Sequence, residues 1–386
     1  MLSNFKRLRS LSWKGIRLVF EIRTLQHFLR ANPGTLEKLE LGFSSGGMAE
    51  HAWPGYRNAA SSLIESVLLI ARDGTTIVRQ TLKSLSLSAA SLGTAIGCYQ
   101  HALNISQLQS LTIHHCASTT LLLEYVVDSG LPIGLSFLEL VIDDNATEDG
   151  MSSSLTMFLH CFKGLRQLHL LVKLTVSTER YWKAAANHQE TLRCFTFQER
   201  VVRNRELQEV CLTRKYRPIN DALTLLTSPA LESIGVYDHP ASLKSHIEHY
   251  TLEPSFKMLH FRRSGRAVSM AGILQMLTWI EEGQATVRGR QRGDSSKNMS
   301  ACVDVFEFAQ WAFGPTGLPQ LRVLAFGDFS HGELGRCRDR NVLLCRQPLR
   351  SANCTFRIVG KDEPEIFGNI DRAFDLLSAC PEEPIL

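Results

Sequence analysis

Leu82-Lys83-Ser84-Leu85-Ser86-Leu87-Ser88 is followed, 26 residues on, by Leu108-Gln109-Ser110-Leu111-Thr112-Ile113-His114. Both stretches have the spacing apolar-x-x-apolar-x-apolar. The last two apolar positions stand two apart, so they share one side of an extended strand, and the residues between them face the other side. The first position lies where the chain enters the strand, and it also turns inward. The same triplet occurs at Leu8/Leu11/Trp13, Leu36/Leu39/Leu41, Leu135/Leu138/Leu140, Leu165/Leu168/Leu170, Leu192/Phe195/Phe197, Leu231/Ile234/Val236, Phe256/Leu259/Phe261 and Leu321/Leu324/Phe326, which makes ten copies. Successive first positions are separated by 28, 46, 26, 27, 30, 27, 39, 25 and 65 residues. The recurrent interval of 25–30 suits a strand alternating with a helix, and the three long ones read as repeats carrying insertions.

Between copies the chain reads as helix, at Leu25–Leu29, Leu121–Val127, Leu155–Leu159 and Ile273–Leu277. Turn residues such as Asn32-Pro33-Gly34 and Ser228-Pro229 separate helix from strand. The expected fold class is therefore α/β: a leucine-rich-repeat solenoid with a curved parallel sheet on the concave side and helices on the convex side. Residues 1–330 form the array, with a flexible insertion near 284–300 that includes Arg288–Arg292. Residues 331–386 form a capping segment with a final helix, and a weaker strand runs through Cys354–Val359.

The copies around Leu36–Leu41 and Leu108–Cys116 resemble leucine-rich repeats, the second placing Cys116 at the closing N/C position of the repeat pattern. In its long, irregular repeats and uneven insertions the chain is similar to fungal F-box/leucine-rich-repeat proteins. That resemblance covers about residues 5–330 and implies the substrate-recognition array of an SCF-type ubiquitin-ligase receptor. The alternative is a stand-alone scaffold or regulatory array without a ubiquitin role. No F-box motif precedes Phe5–Leu8, so the chain opens inside a repeat. A Skp-type adaptor is expected only where an F-box lies upstream.

Composition narrows the classes. With 42 basic and 38 acidic residues the net charge is +4, which argues against a dedicated nucleic-acid binder. No apolar run reaches the ~18 residues of a membrane span, and the mean hydropathy of −0.05 suits a soluble chain. The N-terminus shows no secretory signal and none of the ten Cys pairs at C-x-x-C spacing, so reduced thiols and a cytoplasmic or nuclear site are expected. Phosphate-loop, serine-elbow and zinc-helix motifs are missing. No cofactor, metal or catalytic residue is expected; His114-His115-Cys116 and the acidic run Glu139–Asp149 read as structural and solvated segments.

The register also fixes which residues face outward. In copies five to nine these include Phe137, Glu139 and Val141, then His169 and Leu171, then Tyr237, His260 and Arg262. Exposed apolar neighbours, with Tyr and Arg, are hot-spot chemistry. These eight residues are the expected groove for a protein partner on the concave face.

Overall fold

In the computed structural model the described residues are 7–17, 19–32, 34–43, 81–90, 92, 104–142, 148–173, 179–203, 206–209, 224–249, 254–262, 296–330, 341–347, 356–359 and 373–380. The strands are β1 (Ser10–Ile16), β2 (Lys38–Phe43), β3 (Ser84–Ser88), β4 (Ser110–His114), β5 (Phe137–Ile142), β6 (Gln167–Lys173), β7 (Cys194–Arg203), β8 (Glu206–Glu209), β9 (Ser233–Val236), β10 (Met258–Phe261), β11 (Val323–Phe326), β12 (Val342–Arg346) and β13 (Phe356–Ile358). The helices are α1 (Val19–Ala31), α2 (Thr119–Asp128), α3 (Glu148–His160), α4 (Glu179–Ala186), α5 (Pro240–His249), α6 (Ser296–Phe313) and α7 (Ala373–Ser378). The architecture is α/β: helices alternate with strands of an open, mostly parallel sheet. Its order follows the chain from β1 to β13, with β8 set aside as a partner of β7.

Each of the ten triplets lands on its own strand, and the register joins them apolar to apolar. Leu39 pairs with Leu85, Leu85 with Leu111 and Leu111 with Leu138. Phe195 pairs with Ile234, Ile234 with Leu259 and Leu259 with Leu324. These side chains are 0–6% exposed. A one-residue slip would carry the whole leucine set to the other face, so burial pins the register.

The entry to each strand is tied to the previous repeat in one recurring way. Two successive backbone N–H groups donate to a single carbonyl one strand back. Glu37 and Lys38 donate to Arg9, Lys83 and Ser84 to Glu37, Gln109 and Ser110 to Lys83, and Ser136 and Phe137 to Gln109. Glu232 and Ser233 repeat the pattern on Arg193, and Lys257 and Met258 on Glu232. Hydroxyls add a second tie: Thr35 donates to the Leu8 carbonyl and Thr81 to that of Leu36, while Ser255 donates to that of Ser228. Cys116 does similar work at the far end of β4, where its sulfur lies 3.4 Å from the Ala90 amide of the preceding repeat.

Two compact units emerge. One comprises Met1–Leu168, Val172–His188 and Glu383–Leu386, and the other His169–Leu171 and Gln189–Glu382. In the first, Leu25, Phe28 and Leu29 of α1, Leu122 and Leu123 of α2 and Leu155, Phe158 and Leu159 of α3 are buried. In the second, Phe261 of β10 meets Phe308 of α6 edge to face, ring centres 5.0 Å apart, which puts α6 on the leucine side of the sheet.

The C-terminal strands depart from the expectation of a uniformly parallel sheet. β12 runs antiparallel to β11, and β13 antiparallel to β12. The stretch read as a weak eleventh strand is β13, the outer member of that pair rather than another parallel rung. β12 was hidden because Val342-Leu343-Leu344-Cys345 is a continuous apolar run without triplet spacing. Residues 296–300, assigned from composition to a flexible insertion, begin α6. Residues 284–295 and the Ile273–Leu277 stretch lie outside the described residues.

Candidate functional site

The face of the sheet opposite the leucines changes character along the chain. From β1 to β4 it is polar and partly open. Ser84, Ser86 and Ser88 of β3 and Ser110, Thr112 and His114 of β4 are all half-buried, while Ser12, Lys14 and Lys38 are exposed. The Ser12 hydroxyl donates to Glu40 over 2.7 Å, and Lys14 Nζ stands 3.0 Å from the other carboxylate oxygen. Partial burial alone would raise the Glu40 pKa, but the Ser12 and Lys14 contacts outweigh it and hold the carboxyl below its usual range.

From β5 onward this face closes. Of the three expected groove residues in the first unit, Phe137 keeps partial exposure, Glu139 is 9% exposed and Val141 is fully buried. Glu139 Oε1 lies 2.9 Å from His114 Nε2, a cross-strand pair between β5 and β4. In the second unit His169 and His260 are fully buried, and Leu171, Tyr237 and Arg262 are 1%, 7% and 3% exposed. The expectation that these eight side chains line an open groove is therefore corrected. Val141, Leu171, His169, His260 and Arg262 are interior residues, Glu139 and Tyr237 nearly so, and Phe137 alone keeps part of its surface.

Within the second unit, the contacts on β7, β9 and β10 give a physical reason. Helix α7 lies on the outward face of β7, β9 and β10. Its Leu376 and Leu377 pack into a cluster with Cys194, Met258, Val323 and Ala325, flanked by Phe329 and Leu343. Cys194, Met258 and Val323 share one rung, because Met258 pairs with both Ser233 and Val323, and Ser233 with Cys194. Their apolar character at outward positions is the sequence signal that something covers them.

Two rungs further, Arg262 closes the arrangement. Its Nε donates to Gln198 Oε1 over 3.1 Å. Its Nη1 reaches the Leu376 carbonyl at 3.5 Å, and Nη2 donates to the carbonyls of Ala379 at 2.6 Å and Cys380 at 3.1 Å. Cys380 has φ +50°, so the chain turns left-handed just past α7 and aims both last carbonyls at one guanidinium, in the manner of a helix C-cap. Gly235, on the rung between, makes room: a Cβ there would stand 3.0 Å from Thr196 Oγ1 and 3.5 Å from Arg262 Cδ.

The buried histidines are fixed in place. His260 Nε2 donates to the Gly327 carbonyl over 2.8 Å, and its ring meets Phe329 edge to face. Burial, helped by the Arg262 charge, pushes its pKa down to about 3. His169 Nδ1 lies 3.0 Å from Thr196 Oγ1. Burial likewise pushes the Cys116 thiol up to about 12, which makes it a poor nucleophile. Among the described residues no three His, Cys, Asp or Glu side chains are grouped to hold a metal ion. On the helix side of the first unit, a groove of about 320 Å³ is lined by Ser153, Thr156, Met157, His160, Arg180 and Lys183.

Comparison with protein-family models gives no match. Comparison with curated proteins gives none either.

Proposed function

We propose that the chain is a protein–protein interaction module built on leucine-rich repeats, and that its partner docks on the open polar face of β1–β4. The observation that supports this reading most is the division of labour in the register. One side repeats the same buried leucines strand after strand, while the other carries Ser, Thr, Lys, Glu and His that the frame does not need. A frame that repeats beneath a surface that varies suits recognition better than one reaction. The buried and neutral state of His260, and the unreactive Cys116 thiol, also favour binding over catalysis.

The site residues shift accordingly. Lys14, Glu40, Ser86, Thr112 and His114 replace the closed groove of the second unit as the residues a partner would touch. A partner captured by the native chain should be lost when Lys14→Glu and Glu40→Lys are combined. It should be kept when Arg180→Glu and Lys183→Glu are combined on the helix side. Equal capture by both double variants would refute the assignment.

The finer role, substrate recognition for an SCF-type ubiquitin ligase, rests on the F-box/leucine-rich-repeat resemblance and requires an F-box upstream in the reading frame. Co-purification of a Skp-type adaptor and a cullin with the full-length product is its test; their absence would leave the stand-alone scaffold reading. The absence of a helix long and apolar enough to cross a membrane, among the described residues, is compatible with either. We propose a cytoplasmic or nuclear location for both.

A further inference from the structure

Helices α3 and α4 touch along the first unit, and their C-terminal ends are clasped. Asn187, just past α4, donates from Nδ2 to the carbonyls of Leu159 at 3.0 Å and Phe162 at 3.3 Å. Lys163 Nζ returns the tie, donating to the Asn187 carbonyl at 2.7 Å and to its Oδ1 at 2.6 Å. The outer faces of the two helices are thereby held beside each other. On α3, Ser153, Thr156, Met157 and His160 fall on one face, because they stand three or four residues apart in turn. On α4, Tyr181, Trp182, Ala184 and Ala185 are buried, which leaves Arg180 and Lys183, one turn apart, exposed. These six side chains line the groove of about 320 Å³. Three of them are basic and none is acidic. Met157 is 47% exposed, so the groove offers apolar surface among its cations. Glu124 of α2 is held by the Ser154 hydroxyl, on the buried side of α3.

We propose that this groove binds a small phosphomonoester carried on an apolar group, of the aryl phosphate kind. Two fixed cations one helical turn apart call for two negative charges. A phosphomonoester carries about −1.5 to −2 near neutral pH, where a carboxylate brings only one. The Arg180 guanidinium offers a planar fork to two phosphate oxygens and Lys183 a point charge, with the Ser153 hydroxyl and the His160 ring on the facing helix. Met157 and the apolar stems of Arg180 and Lys183 receive the carbon skeleton. Small-molecule sites begin at about 300 Å³, so the groove suits a single ring with its phosphate rather than a larger cofactor. Exposed cations are screened by salt, and the apolar contact is therefore what separates this ligand from inorganic phosphate. The inference goes beyond the interaction-module reading and does not rest on it, because the groove lies among the helices and the polar face of β1–β4 does not contribute to it.

The test titrates the full chain, labelled at its methionine methyl groups, with phenyl phosphate at physiological salt. The Met157 methyl resonance, assigned through Met157→Leu, should shift and saturate. Phenyl phosphate should bind at least about tenfold tighter than inorganic phosphate, phenol or benzoate. Arg180→Gln combined with Lys183→Gln should weaken it by about tenfold or more while leaving the thermal midpoint unchanged, since both side chains are exposed. The inference is overturned if phenyl phosphate does not saturate the Met157 shift in the millimolar range. Equal binding of inorganic phosphate would reduce the groove to a general attraction for anions, and equal binding of phenol to an apolar crevice. Equal binding of benzoate would remove the case for a dianion; each of these results overturns the proposal. So does a folded double variant that binds phenyl phosphate as the native chain does. The four ligand titrations use the native chain, so an unfolded double variant does not rescue the idea. Loss of partner capture by the Lys14/Glu40 variant bears only on the module reading, and the phenyl phosphate titration only on this one.

Discussion

At the scale of single residues, the leucine frame carries the heaviest constraint. Leu168 of β6 is fully buried, and an Asp there would bury an unpaired charge. Leu168→Asp should cost about 4 kcal/mol or prevent folding; an unchanged thermal midpoint would contradict the register. Two of the buried histidines, His188 and His260, make stability depend on acid. Burial, then the nearby Lys163 and His160 charges, lowers His188 to about 4; His260 is lowered to about 3. Between those values and the ordinary value of 6.5, the unfolded chain binds protons that the folded chain refuses. Stability is therefore fully present above pH ~6.5 and falls as pH drops through the window, by up to ~1.4 kcal/mol per pH unit for each histidine. Urea unfolding at pH 7.5, 6 and 5 measures this, and His188→Gln should flatten the slope by one proton.

At the scale of elements, helix ends are held by arginines from distant strands. Arg346 of β12 donates to the carbonyls of Phe313 and Leu318 at 2.8 and 2.6 Å and to that of Leu321 at 3.0 Å, covering the C-terminal end of α6 and the turn after it. Its ring neighbour is Phe313, 5.5 Å away. Arg346→Met keeps much of the stem's packing but leaves those carbonyls unmet. It should cost about 2 kcal/mol and raise hydrogen exchange in the last turn of α6; unaltered exchange there would argue that water replaces the guanidinium. Strands were legible from the sequence wherever the triplet spacing held, because two-residue alternation is a local property. The helices at Leu25–Leu29, Leu121–Val127 and Leu155–Leu159 were legible for a similar reason. β12 and the β7–β8 hairpin were not, since neither carries the spacing. The covering of the outward face was not legible as a contact either, because α7 meets Arg262 from 114–118 residues away. Its trace was the apolar character of Cys194, Met258 and Val323 at outward positions. That trace was open to two readings, an exposed groove or a covered one, and burial selects the second.

At the scale of the whole molecule, the paired strands form a ladder in which each rung stabilises its neighbours. Within the first unit, Leu85→Ala should cost ~2–5 kcal/mol. It should loosen β2 and β4, which pair directly with β3, before more distant strands, as nearest-neighbour coupling in repeat arrays requires. Hydrogen exchange resolved by peptide reports the order of loosening, and uniform loosening across the unit would mean that its strands form one indivisible core. Which face is free to bind then follows from what covers the ladder. The first four strands keep a partly open polar surface, and the strands of the second unit have theirs filled by the chain's own tail. The most direct measurement of the ladder is a methyl-to-methyl nuclear Overhauser spectrum of leucine-labelled protein. The register predicts cross-peaks linking Leu39 to Leu85, Leu85 to Leu111 and Leu111 to Leu138 in series. Absence of that series, or contacts from Leu85 to strands other than β2 and β4, would contradict it.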